Sequence, residues 1–234
     1  HMHYSDTHGP AFDAVRERHG VGACTLACIP QMGVCSTVPD ALYYKAVHPE
    51  GTVYVMGGLE RSAWFLHEGD AAALGEDLVA QAGAVLACHP GLRLQLAHLF
   101  FFSAQLPRLS ALLRRYPEVR VDLTPGIELY TNLAGDIPAA RAFFEEFGTR
   151  ILYGSDIGSR ASIAQPPRPL DSSESAARVD VIRTFLETPE NEPYTLLPDG
   201  RYLFRIAPTP MRGLGLPSEA LEQVYGGNAR MFLG

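Results

Sequence analysis

The sequence predicts an α/β fold of parallel strands joined by crossover helices, and three observations carry the prediction. Short β-branched or apolar runs alternate with longer stretches of helical spacing along the chain. Each apolar run ends in turn residues or polar groups. The chain has 234 residues and is 47% hydrophobic, enough to bury one sizeable core in a single domain over 1–234. Taken in order, the strand candidates are Ala23–Ile29, Thr52–Met56, Leu92–Leu99, Val119–Leu123 and Arg150–Tyr153. Leu106, Leu109, Leu112 and Leu113 recur at helical spacing before Tyr116-Pro117, and Ala140, Phe143, Phe144 and Phe147 recur before Gly148. Asp171, with Glu174 three residues on, opens a helix through Val179, Ile182 and Leu186. A last helix runs from Ser218 to near Gly226. The segments 159–169 and 187–210 are broken by Pro, Ser and polar residues and read as long loops suited to a substrate lid.

Charge and composition exclude several classes. Twenty-six acids against 19 bases leave a net charge of -7 with no basic run, so a nucleic-acid or anionic-membrane surface lacks its electrostatic footprint. The expected partner is a small molecule, with self-association into a homo-oligomer left open. No apolar stretch reaches the roughly 20 residues needed to cross a bilayer, and His1–Asp6 shows no signal-peptide pattern, so a cytoplasmic location is expected. Cys24, Cys28, Cys35 and Cys88 lack the paired spacing of a zinc knuckle and read as reduced, mostly structural thiols.

Three polar features sit where strands run out, which in a closed parallel barrel is the active-site face. His1 and His3 are two apart, so on a strand they share a face and can chelate one ion. His98 closes the run LRLQLA, and Asp156 closes RILYGS. Closure of a barrel brings the last strand beside the first and lets Asp156 complete the His1/His3 site, where a bound water would titrate near pH 7, to within about a unit. Each residue also has a blander reading: His1-Met2 as a frayed terminus or cloning remnant, His98 as a core histidine, Asp156 as a turn residue. Tyr4, Glu60, Arg61, Glu128, Tyr130 and Arg160 lie at or just beyond strand ends and are the candidate substrate contacts, or else ordinary loop residues. His8, His19, His48, His67 and His89 read as solvated surface residues.

The motifs His1-Met2-His3, Ala97-His98-Leu99, Tyr153-Gly154-Ser155-Asp156 and Gly227-Asn228-Ala229-Arg230, with Asp122-Leu123-Thr124-Pro125-Gly126 between them, follow one another in a familiar order. In that order the chain resembles the amidohydrolase-related group that includes aminocarboxymuconate semialdehyde decarboxylase and related metal-dependent hydrolases. The resemblance implies a (β/α)₈ TIM barrel in which His1, His3 and Asp156 bind a divalent metal. Zinc is the first expectation and manganese the alternative. It also implies that His98 polarises the substrate or shuttles protons.

The pattern is broken in one place. The family's strands four and five have no counterpart between Gly75–Gln81 and Ala84–Pro90, nor has the histidine that the fifth strand supplies. Two neighbouring strands cannot be deleted without orphaning the sheet edges beside them, so a missing segment near Gln81 and Ala82 is expected. The activity expected first is hydrolysis by metal-activated water, with Asp156 moving the proton and His98 stabilising negative charge. Decarboxylation of a small carboxylic acid by the same residues is the alternative, and a decayed barrel that only binds ligand is the third.

Overall fold

The computed structural model describes residues 2–3, 9–21, 23–27, 38–47, 52–56, 71–125, 129–157, 172–196 and 209–234. The chain divides into two compact units, the first built on His1–Leu92 and the second on Arg93–Asp156 and Asp171–Gly234.

In the first unit β1 (Met2–His3), β2 (Ala23–Ala27) and β3 (Thr52–Met56) form a parallel sheet in the order β1-β2-β3. The register Met2↔Leu26, His3↔Ala27 and Ala27↔Met56 puts the carboxyl ends of all three strands flush, with His3 at that edge. The helices α1 (Gly9–Arg18) and α2 (Val38–Val47) lie between successive strands in sequence, the connection that parallel pairing requires. A long helix, α3 (Ala71–Cys88), runs without a break through Gln81 and Ala82, the point at which a missing segment is expected. Cys88 at its end is an exposed free thiol.

The second unit repeats the plan. Its strands β4 (Leu94–Leu96), β5 (Val119–Asp122) and β6 (Ile151–Leu152) form a second parallel sheet in the order β4-β5-β6. Helix α4 (Leu106–Arg115) follows β4, with a proline in its first turn where the missing N–H costs nothing. It turns Leu106, Leu109 and Leu113 inward, each at most 8% exposed. Next come α5 (Leu129–Gly135), which the sequence periodicity did not announce, and α6 (Ile137–Phe147). The Asp136 carboxylate caps α6 by accepting from the Ala139 N–H at 3.0 Å. Its buried stripe is Ile137, Ala140, Phe143, Phe144 and Phe147, the spacing expected from the sequence. Arg150, just before β6, donates to the carbonyls of Leu113, Tyr116 and Val119 at 2.8–2.9 Å. These include carbonyls at the end of α4 that have no partner inside the helix.

Helix α7 (Ser172–Glu187) seals the unit with Val181, Ile182, Phe185 and Leu186, none more than 3% exposed. The capping pair expected at its start includes Asp171, which lies outside the described residues. The segment 187–210, expected to be a loop, instead contains a strand pair: β7 (Tyr194–Leu196) lies antiparallel to β8 (Thr209–Met211), with Tyr194 opposite Met211. Long-range pairing overrides the local Pro and Gly signals that read as coil. The C-terminal helix is also longer than its periodicity suggested. It runs as α8 (Ser218–Glu222), a π-helical turn (Gln223–Gly227) and α9 (Asn228–Leu233).

Candidate functional site: the carboxyl edge of the second sheet

Because β4, β5 and β6 are parallel, their carboxyl ends share one edge, and a polar residue ends each strand or follows it within four residues. After β4 comes His98, at the end of β5 is Asp122, and beyond β6 is Asp156.

The chain does not continue as a strand to Leu99, as its apolar run suggested. It leaves the sheet at Leu96 and winds through a left-handed turn in which His98, Leu99, Phe100 and Phe101 have φ of 55°, 50°, 56° and 59°. Leu99 sits in the core at 0% exposure, while Phe101 is 48% exposed and stacks on the His98 ring at 5.1 Å. The His98 N–H donates to Asp122 Oδ1 at 2.8 Å. The ring's Nδ1 meets the Thr124 carbonyl at 3.2 Å. A carbonyl only accepts, so Nδ1 carries the proton in this arrangement and the lone pair of the neutral ring belongs to Nε2.

Asp122 is the centre of this edge. It is 0% exposed. Its Oδ1 accepts from the amides of His98 and Thr124 at 2.8 and 3.2 Å, and its Oδ2 accepts from Gln95 Nε2 at 2.6 Å. A buried carboxylate is tolerated only with such hydrogen bonds. Gln95, Asp122 and Thr124 were missed as site residues in the sequence reading. The available signal was an aspartate closing the β-branched run Val119-Arg120-Val121, a charge placed where a strand should stay apolar.

Asp156 is also left-handed, with φ 55°. Its carboxylate forms an ion pair with Arg178 of α7 at 3.1 Å, where the side chains are 15% and 3% exposed. Arg178 was likewise not anticipated, because it occupies the buried face of a helix where the sequence pattern leads one to expect an apolar residue.

Tyr130, expected to touch substrate, is a core residue here: it is 1% exposed and its hydroxyl donates to the Leu123 carbonyl at 2.5 Å. Burial pushes its phenol well above the ordinary range. His1, Tyr4, Glu60, Arg61, Glu128 and Arg160 lie outside the described residues. His3 is described as part of β1, at the carboxyl edge of the first sheet. Among the described residues, no three His, Cys, Asp or Glu side chains gather as a metal-binding group. His89, expected at the surface, is exposed. No helix among the described residues is long and apolar enough to cross a membrane.

Comparison with known proteins bears on the fold and the family. An amidohydrolase from Burkholderia multivorans, crystallised with bound zinc, shares the fold with a TM-score of 0.50 at 14% identity. The superposition covers 100% of this chain and 97% of that one. No curated protein matches the sequence. Residues 13–234 match the sequence profile of the amidohydrolases. A match spanning all but the first dozen residues shows that the chain belongs to the amidohydrolase family.

Proposed function

We propose that this protein is a metal-dependent hydrolase of small molecules, built as a (β/α)₈ barrel whose strands one to three and six to eight are β1–β3 and β4–β6. The observation that carries the reading is the row of His98, Asp122 and Asp156 at the carboxyl ends of three adjacent parallel strands, where such folds assemble their chemistry. The strand order and the parallel pairing within β1-β2-β3 and within β4-β5-β6 support the barrel. A cytoplasmic protein acting on a small-molecule substrate is part of the same proposal.

The proposed metal ligands are His1, His3 and Asp156, imidazole and carboxylate donors of the kind zinc prefers. Asp156 suits the role, since it is a strand-end carboxylate with partial exposure whose orientation is set by Arg178. A divalent cation held there supplies Lewis acidity, which polarises a substrate carbonyl and makes water nucleophilic near neutral pH. The protein's own residues do the rest. Asp156 accepts the proton of the attacking water and returns it to the leaving group. His98, with Nδ1 held protonated by Thr124, has its lone pair at Nε2 and acts as a proton acceptor; it can donate toward developing negative charge only after taking a second proton. Tyr4, Glu60, Arg61, Glu128 and Arg160 remain the proposed substrate contacts, and Tyr130 drops out because its hydroxyl is engaged in the core.

The aromatic flank of His98, with Phe101 stacked on it, favours as a second reading the decarboxylation of a small carboxylic acid by the same residues. Elemental analysis of the purified chain tests the shared premise: about one zinc or manganese per chain is expected, with His3→Ala and Asp156→Ala each losing it while keeping the wild-type circular dichroism. Full metal content in either variant would remove that residue from the site, and a wild-type chain without stoichiometric metal would point to a decayed, ligand-binding barrel. Assaying the metal-loaded protein against small esters and lactones, and in parallel for CO₂ release from small carboxylic acids, separates hydrolase from lyase.

A further inference from the structure

We propose that Asp122 is a positioning residue for His98, with one buried carboxylate fixing both the backbone from which the imidazole hangs and the tautomer it adopts. The inference rests on the reading above in taking His98 as the acting residue, but the geometry that carries it does not. Four consecutive non-glycine residues, 98 to 101, lie in the left-handed region that L side chains rarely adopt. A strained turn of this kind persists only where its surroundings determine it. Here Asp122 Oδ1 receives the N–H of His98 at the start of the turn and the N–H of Thr124 on the neighbouring strand end. The carbonyl of that same Thr124 accepts from His98 Nδ1. The carboxylate therefore ties together the two segments whose separation decides whether Nδ1 reaches its acceptor. Gln95 holds the other carboxylate oxygen, so the group cannot swing away from either amide.

Only an acceptor with several lone pairs can take two amides on one oxygen and a side-chain amide on the other. Asparagine keeps Oδ1 for both backbone amides, and Gln95 can turn its amide to present oxygen to the new NH₂. Alanine leaves two buried N–H groups without their acceptor. A purely structural aspartate would affect stability when replaced, but would leave the ring's tautomer as it was.

The test is ¹⁵N–¹H NMR of His98 in the full-length chain, read at a pH where the ring is neutral, with no metal added and again with zinc. Wild type and Asp122→Asn are expected to show Nδ1–H with an unprotonated Nε2, whereas Asp122→Ala is expected to swap toward Nε2–H, the tautomer a free imidazole prefers. A folded Asp122→Ala that keeps the Nδ1–H signature overturns the proposal, as does a wild type that already shows Nε2–H. Should the alanine variant fail to fold, amide hydrogen exchange of the wild type decides: the His98 and Thr124 amides are expected to exchange at least about a hundredfold slower than in an unstructured peptide. Unprotected amides would refute the anchoring. None of these readouts depends on turnover, so an inactive or metal-free protein with the expected tautomer would sink the hydrolase reading and leave this one standing.

Discussion

Tyr153, in the segment between β6 and Asp156, shows how burial couples a side chain to pH. Burial pushes its phenol up to about 12, a rise that Asp180 adds to and Arg183 opposes. The unfolded chain loses this proton near pH 10, while the folded chain holds it about two units longer. Between those values the unfolded state binds fewer protons, so stability falls as pH rises, by up to about 1.4 kcal/mol per unit from this group. Tyr153→Phe removes that dependence. Urea denaturation between about pH 9 and 11 is expected to give a shallower alkaline decline in the variant, and identical slopes would mean that Tyr153 is more open to water than its burial implies. Arg178 belongs to the same scale. Replacing it by leucine leaves the Asp156 carboxylate without its guanidinium, and since Asp156 retains some contact with water the expected loss is about 2–3 kcal/mol, below the cost for a fully sequestered pair. Urea midpoints check this, and a change under about 0.5 kcal/mol would show that the pair contributes little.

Among the elements, two joints hold the second unit together. The first is Asn228, at the start of α9, whose Nδ2 donates to the carbonyls of Gly148 and Ile151 at 2.7 and 2.8 Å. It pins the C-terminal helix to the entrance of β6, and its position is set by the π-helical turn that precedes it. The sequence motif Gly227-Asn228-Ala229-Arg230 thus has a structural explanation. Asn228→Ala leaves two inward carbonyls without this donor and is expected to cost about 2–3 kcal/mol, measurable as a lower urea midpoint with an unchanged slope. The second joint is Gly213, just after β8, where an added Cβ would lie 2.3 Å from the Thr188 carbonyl oxygen and 2.8 Å from that of Phe185. Both atoms are backbone at the end of α7, and the neighbouring Leu214 N–H donates to that same Phe185 carbonyl at 2.7 Å. Gly213→Ala therefore forces the strand pair away from the helix, at an expected cost of about 1–3 kcal/mol. A variant as stable as wild type would show that this joint yields easily.

At the scale of the whole molecule, the proposed site is a single cation held by His1, His3 and Asp156, and binding of that cation is linked to folding. A cation that binds only the folded protein stabilises it by about 2.7 kcal/mol at a hundred times its dissociation constant. Adding zinc to metal-free protein is therefore expected to raise the thermal midpoint of wild type by several degrees and to leave His3→Ala unmoved. An equal rise in both would place the binding elsewhere.

Much of the architecture was legible before any coordinates. The strands at 23–27, 52–56 and 119–122 and the stripes of α4 and α6 appear where periodicity put them, because burying one face imposes a spacing that a sequence displays directly. The order of motifs was enough to indicate the family. The positions of His98 and Asp156 beyond strand ends were also visible, since charge and imidazole after an apolar run stand out. Tertiary structure decided the rest. That His98 belongs to a left-handed turn and not to a strand depends on Asp122, 24 residues away, and no local preference of Leu99 or Phe100 encodes it. That Tyr130 faces the core and Arg178 faces Asp156 depends on which elements pack together. Local spacing reveals which face is buried, whereas the partners of a buried polar atom are chosen by contacts between distant parts of the chain.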